Sequence, residues 1–220
     1  ELRAGLLKSG HVFRTGSDVE TLVHLYEDEG PELLQRLVGM FAICIVDFRE
    51  EGKPKVLLAR DRLGIKPLYW ALTESGLYWG SEPKTLLASG VLSRKIRGEG
   101  LVDYFVQGFV GGENSIWEGV QRLQAGHYMI WQGDKSPRSK SYWDLPLEGE
   151  RDDADAPELL EWIDRIVETR MLADVPLGAF LSGGIDSSAV VTSMAAASAD
   201  PVKACSVGFR EKSHDELDIA

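Results

Sequence analysis

The chain has 220 residues, 44% of them hydrophobic and 27% charged, enough for one large domain or two small ones. Its formal net charge of −11 speaks against a nucleic-acid or anionic-membrane surface, so any anionic ligand has to be held by local donors. No run reaches the ~18 apolar residues of a spanning helix and no signal-peptide pattern is present.

Both ends, Glu1 and the helix-like residues 215–220, read as interior to a longer polypeptide. Cys44 and Cys205 sit in apolar, strand-like runs and are expected to be buried thiols in a reducing, cytoplasmic setting. The four histidines are scattered and offer no zinc spacing.

In chain order, Ser17-Asp18-Val19-Glu20 has capping-box spacing, with Ser17 as N-cap and Glu20 as its reciprocal partner. The helix it opens places Val19, Leu22, Val23 and Tyr26 on one face and should end near Gly30; a shorter helix is expected over Pro31 to Val38. Asp18 has a plain structural use, since a carboxylate in a first helical turn complements the dipole by ~0.3–1 kcal/mol at an exposed site.

A β region follows. Met40 to Phe48 and Lys55 to Ala59 flank a Gly-Lys-Pro turn, and Leu68 to Leu72 and Leu77 to Gly80 flank Ser75-Gly76. Sequential antiparallel strands after helices predict an α+β sandwich rather than a βαβ repeat. Between the hairpins, Arg60 and Asp61 are placed to form an ion pair that fixes a charged loop. A helix is expected from Glu99 to Phe109, and His127 reads as part of a strand-entry turn rather than a base.

Residues 132–156 are rich in charge, Ser and Pro, with Tyr142-Trp143 as the only large apolar anchor, and form the expected linker. Asp155 and Glu158 repeat the capping-box pattern before a helix with Leu159, Ile163, Ile166 and Val167 on its core face. Beyond it, the apolar run Val175 to Leu181 leads into Ser182-Gly183-Gly184-Ile185-Asp186-Ser187-Ser188, then a helix-prone stretch and a strand over Lys203 to Phe209.

Strand, glycine turn and helix N-terminus suit phosphate groups: turn N–H groups point outward and the helix dipole favours negative charge. The Walker lysine and the G-x-G-x-x-G spacing are both absent, which leaves a phosphate nest with Asp186 placed for a bridging Mg²⁺. The structural alternative is a tight Ser/Gly turn with Asp186 capping the helix.

This stretch resembles the PP-loop signature S-G-G-x-D-S of ATP pyrophosphatases. The longer run Asp174 to Ser188 resembles glutamine-hydrolysing asparagine synthetases and their close relatives. Arg60-Asp61-Arg62-Leu63-Gly64-Ile65-Lys66-Pro67-Leu68-Tyr69 is similar to that family's R-D-x-x-G-x-x-P-L-Y segment, and Ser81 to Leu86 to its S-E-x-K-x-L segment. Leu123 to His127 is similar to L-x-P-G-H, with Ala125 in the proline's place.

The resemblance implies an α+β N-terminal-nucleophile hydrolase-like antiparallel sandwich, followed by the start of an α/β PP-loop domain of the adenine nucleotide α-hydrolase-like kind. The expected division is a partial glutaminase (class II amidotransferase) domain over 1–131, the linker over 132–156 and the start of the synthetase domain over 157–220. The implied reaction is ATP-dependent amidation of aspartate with ammonia from glutamine, through β-aspartyl-AMP and with release of pyrophosphate.

ATP and Mg²⁺ are then the implied cofactors, and glutamine, aspartate and ATP the small-molecule partners. No nucleic-acid or membrane partner is expected, and a homodimer is one state open to it. By resemblance, Asp18 binds the α-amino group of glutamine. Leu181, Ser182, Gly183, Gly184, Ile185, Asp186, Ser187, Ser188 and Val207 hold ATP and pyrophosphate, while Asp186 and Glu216 serve the metal.

The family's N-terminal nucleophilic cysteine has no counterpart here, nor do its oxyanion-hole Asn-Gly and its later S-G-E-G-x-D-E segment. No catalytic residue is therefore assigned, and these 220 residues alone are expected to be inactive. A β-lactam synthetase-like ligase and a non-catalytic nucleotide-binding relative stay open.

Overall fold

The chain divides into two units, Glu1–Pro146 and Leu147–Ala220. A computed structural model describes residues 1–133, 136–146, 156–209 and 217.

The first unit begins with helices α1 (Leu2–Lys8) and α2 (Asp18–Glu29), a 3₁₀ turn at Gly30–Glu32 and the short α3 (Leu33–Arg36). Strands β1 (Ala42–Asp47), β2 (Lys55–Arg60), β3 (Tyr69–Thr73) and β4 (Gly76–Gly80) follow. Then come helices α4 (Pro83–Ala88) and α5 (Gly98–Gln107) and strands β5 (Gln121–Arg122), β6 (His127–Trp131) and β7 (Arg138–Ser141).

The strands form two antiparallel sheets of order β1-β2-β6-β7 and β4-β3-β5. Strand β2 shows why they stack. Leu57 and Ala59 pack with Leu25, Leu33 and Leu34 of the helices, while Val56 and Leu58 pack with Leu68 and Leu77 on the side of the second sheet. A strand buried on both faces needs an unbroken apolar run, and Val56-Leu57-Leu58-Ala59 supplies it. Burial of each leucine contributes about 1.5–3 kcal/mol. On the second sheet's outer face, Ala71 meets Leu86 of α4 and Val120. Helices, sheet, sheet and helix thus form layers, the expected α+β antiparallel sandwich.

Several local expectations give way. Residues 138–141, inside the expected linker, form β7 and pair with β6. Tyr142 ties the following residues to the same unit: its hydroxyl donates to the Arg60 carbonyl at 2.8 Å, and its N–H donates to the Gly126 carbonyl at 2.9 Å. The polar sequence there is that of an exposed edge strand. Gly126 (φ +66°) makes this docking possible, because a Cβ would stand 2.3 Å from the Trp143 carbonyl oxygen.

On α2 the buried residues are Thr21, Leu25 and Tyr26, whereas Val19 and Val23 are exposed. The core face is rotated from the expected one because α2 docks through Leu25 and Tyr26 against the sheet and α3.

Arg60 and Asp61 make no ion pair with each other among the described residues. Each is buried and serves main-chain groups instead. Arg60 donates to the carbonyls of Gly64, Lys66 and Leu123, at 2.6, 2.8 and 2.8 Å. Asp61 accepts from the N–H groups of Phe41, Ile65 and Lys66, at 3.2, 2.8 and 2.9 Å. Successive strand residues point to opposite faces, which separates the two charges.

Both cysteines are exposed, not buried. Cys44 lies opposite Leu58, on the face turned towards the second sheet, but on the edge strand that sheet does not cover. Partial desolvation still pushes its thiol up to about 11.

The second unit contains α6 (Ala156–Arg170), β8 (Gly178–Phe180), α7 (Ile185–Ala197) and β9 (Lys203–Cys205). Strands β8 and β9 run parallel, in register from Gly178 against Lys203 to Phe180 against Cys205. Of the expected core face of α6, Val167 is buried and Ile163 half-buried, while Leu159 and Ile166 are exposed. The expected cap residue Asp155 lies outside the described residues, and β9 is shorter than the strand expected to Phe209. Among the described residues no helix is long and apolar enough to cross a membrane.

Candidate functional sites

The first site is a cleft of about 720 Å³ at the start of α2, lined by Gly16, Ser17, Asp18, Thr21, Arg36 and Phe41 among others. Ser17 caps the helix, its hydroxyl accepting from the Val19 N–H at 3.2 Å. Glu20 does not return to the cap as a capping box requires. Its carboxylate accepts from the main-chain N–H groups of Arg14 (2.6 Å) and Thr15 (2.7 Å), clamping the segment that enters the helix. Those bonds, led by the one from Arg14, hold the Glu20 carboxyl down at about 2.

Asp18 Oδ1 accepts from the Val19 N–H at 2.9 Å, and its Oδ2 has no hydrogen-bond partner among the described residues. The exposed carboxylate therefore keeps an oxygen for a ligand cation. Arg3 and Arg36, which sequence reasoning did not single out, also line the cleft. Arg3 donates to the Thr15 carbonyl at 2.6 Å, and Arg36 pairs with Glu29. Their placement depends on tertiary packing, so no local sequence signal marks them.

The second site is the β8–α7 loop. Leu181 follows β8 and its N–H donates to the Cys205 carbonyl at 3.0 Å, extending the parallel pairing by one residue. Gly183 takes φ +80°, a conformation that glycine adopts without strain. The Ser182 and Ser187 hydroxyls meet at 3.1 Å, Ser187 Oγ donates to the Gly184 carbonyl at 3.1 Å, and the Ser182 N–H donates to Ser187 Oγ at 3.2 Å.

The first intrahelical bond of α7 runs from the Ser188 N–H to the Gly184 carbonyl. The N–H groups of Gly183, Ile185, Asp186 and Ser187 have no acceptor among the described residues. These unpaired donors sit on the positive end of a helix of 13 residues, and that donor set fits a polyphosphate anion. Asp186, exposed in the first helical turn, is the one carboxylate there and fits a Mg²⁺ bound to such an anion. Val207, two residues beyond β9, is exposed and lies at the same carboxyl edge of the strand pair as Leu181. Glu216 lies outside the described residues.

The layered first unit is followed on the same chain by a strand–glycine turn–helix loop of the anion-binding kind. The sequence matches the glutamine amidotransferase domain family over residues 1–143 and the asparagine synthase family over residues 158–220. The chain belongs to the glutamine-hydrolysing asparagine synthetase family, with a glutamine amidotransferase domain as its first part.

One relative, asparagine synthetase [glutamine-hydrolyzing] 2 of Bacillus subtilis, is 36% identical over 204 residues, covering 86% of this chain and 27% of the relative. Asparagine synthetase [glutamine-hydrolyzing] 1 of the same organism is 34% identical over 224 residues, covering 100% and 34% respectively. The chain thus spans about a third or less of the length of these relatives. A solved glutamine phosphoribosylpyrophosphate amidotransferase from B. subtilis aligns with a TM-score of 0.42 and 15% identity, covering 95% of this chain and 43% of that one.

Proposed function

We propose that the full protein makes asparagine from aspartate, ATP and glutamine-derived ammonia. The observation that carries this reading is the row of unpaired N–H groups at Gly183 and Ile185–Ser187, on a chain that also carries the amidotransferase sandwich.

In the first domain, the free Oδ2 of Asp18 binds the α-ammonium of glutamine, orienting its side-chain amide for hydrolysis. A carboxylate–ammonium hydrogen bond of this kind contributes about 1.5–3 kcal/mol. In the second, a carboxylate oxygen of aspartate attacks the α-phosphorus of ATP and the bond to the β-phosphate oxygen breaks. Negative charge grows on the departing pyrophosphate. The unpaired loop N–H groups already sit at the positive end of α7, so stabilising that charge requires little reorganisation of them, and the hydroxyls of Ser182, Ser187 and Ser188 turn to donate as the phosphates bind. Ammonia then displaces AMP from the acyl carbon. Asp186 would hold Mg²⁺, which would supply further neutralisation of phosphate charge. Leu181 and Val207, at the strand ends, contact the adenosine.

The test uses the full-length protein with glutamine, aspartate and Mg-ATP, and measures AMP, pyrophosphate and asparagine together. All three products are expected in equal amounts, with a large loss in Asp186→Ala. AMP and pyrophosphate formed only with a different acid would move the protein to another amide ligase, such as a β-lactam synthetase-like enzyme. Binding of ATP without turnover would reduce it to a non-catalytic relative.

A further inference from the structure

His11 and His24, far apart in the sequence reading, meet in the fold. Their Nδ1 atoms face each other at 3.1 Å, and Glu27 Oε2 lies 3.1 Å from the His24 Nδ1 and 4.0 Å from the His11 Nδ1. The far nitrogen of each ring looks towards a carboxylate. His11 Nε2 is 2.9 Å from Asp28 Oδ2, and His24 Nε2, which is buried without a hydrogen bond, is 3.9 Å from Glu20 Oε1.

A His11 Nε2–H donated to Asp28 fixes the tautomer that leaves a lone pair on Nδ1. His24 Nε2 makes no hydrogen bond, but Glu20, 3.9 Å away, is the carboxylate it faces, and a proton there would free the His24 Nδ1 lone pair in the same way. Two imidazole nitrogens 3.1 Å apart, with a carboxylate oxygen beside them, are held together by a shared proton or, where both present lone pairs, by a metal cation. Spacings of 3.1, 3.1 and 4.0 Å bracket the about 3.3–3.6 Å edge of a tetrahedron whose bonds are about 2.0–2.2 Å long. Ring nitrogens backed by carboxylates are the usual second layer of a metal site.

We propose that His11, His24 and Glu27 bind a divalent transition-metal ion of the zinc type, with water as the fourth ligand. The imidazole and carboxylate donor set suits zinc, cobalt or nickel rather than magnesium or calcium. The two rings are largely buried and Glu27 is half exposed, which gives the ion a rigid seat and an entry side. The ion ties the segment before α2 to that helix. Glu20 clamps the same segment through Arg14 and Thr15, so the site stiffens the approach to Ser17 and Asp18. It stands independently of the glutamine reading.

The experiment strips the full-length protein with a chelator, titrates Zn²⁺ by calorimetry and follows Co²⁺ by its visible absorption. Wild type is expected to bind one more ion per chain than His24→Gln or His11→Gln. The Co²⁺ difference spectrum should show tetrahedral bands without thiolate charge transfer, which separates this site from the exposed cysteines. Asp28→Asn should weaken the binding about 10–100-fold, and His127→Gln should leave it unchanged. Circular dichroism checks that each variant is folded; a His→Gln variant that is not cedes the test to Asp28→Asn. Equal binding by wild type and the folded variants, or a thiolate spectrum, would overturn the proposal. So would the absence of saturable binding in wild type, which would leave the two rings sharing a proton instead.

Discussion

Replacing Asp61 separates two accounts of the loop between the hairpins. Its Oδ1 accepts from the Ile65 N–H, and its Oδ2 accepts from those of Lys66 and Phe41. The side chain is 1% exposed, so water does not substitute for it in the folded protein. In Asp61→Asn the amide oxygen can take the Oδ2 place and serve two donors, while its NH₂ faces the Ile65 N–H. One buried donor is then unsatisfied, at a cost of about 1–3 kcal/mol. Asp61→Ala strands all three donors; with water entering the vacated space to offset part of this, the expected loss is about 3–5 kcal/mol.

Urea unfolding followed by tryptophan fluorescence measures both, since five of the six tryptophans (70, 79, 117, 131 and 143) lie in the first unit. An ion pair with Arg60 would make the two variants nearly equal, because both remove the charge. Equal losses, or losses below about 0.5 kcal/mol, would refute the acceptor-counting explanation.

Other expectations follow from single contacts. Glu20 has a folded-state pKa lowered from 4.5 to about 2, so its contribution is present above pH 4.5 and lost as pH falls towards 2. In Glu20→Gln, a pH titration of stability should lose that part of its slope between those values, and an unchanged slope would remove the clamp. Asp18→Asn should raise KM for glutamine by about 10–100-fold while leaving ammonia-dependent asparagine formation intact; a fall in both would point to misfolding. Gly126→Ala should lower the thermal midpoint of the first unit, because the Trp143 carbonyl blocks the added Cβ. A wild-type midpoint would mean the 142–143 segment can move aside.

What the sequence made legible was mostly local chemistry. Ser17 caps α2, Gly30 ends it, and the Ser/Gly turn joins β8 to α7. Each is decided by residues a few positions apart. The misread features depend on partners distant in the chain. Strand β7 is polar throughout and is recognised only by the edge of β6 that it covers. The rotation of the α2 core face is set by the sheet beneath it, and the exposure of Cys44 by how far the second sheet reaches. Arg60 and Asp61 are adjacent in sequence, which suggested a pair, but their alternating directions deny it. The meeting of His11 with His24 has no spacing signature, because a helix and the loop before it bring the two together.

The two candidate sites differ in what recognises the ligand, and that difference decides which substitutions are informative. At Asp18 the proposed recognition group is one side-chain oxygen, so a single exchange removes it. In the β8–α7 loop the donors are main-chain N–H groups, which alanine at Ser182 or Ser188 leaves in place. Gly183→Ala alters them, because an ordinary side chain at φ +80° costs about 1–2 kcal/mol and favours a different path for the turn. Paired with Asp186→Ala, it separates the two parts of the proposed mechanism. Loss of AMP and pyrophosphate in both variants is the expected result and assigns the reaction to nest and metal together. Loss in Gly183→Ala alone would keep the phosphate nest and take the metal role from Asp186. Loss in Asp186→Ala alone would mean that the orientation of the N–H groups matters less than the carboxylate, contrary to the geometry of the loop.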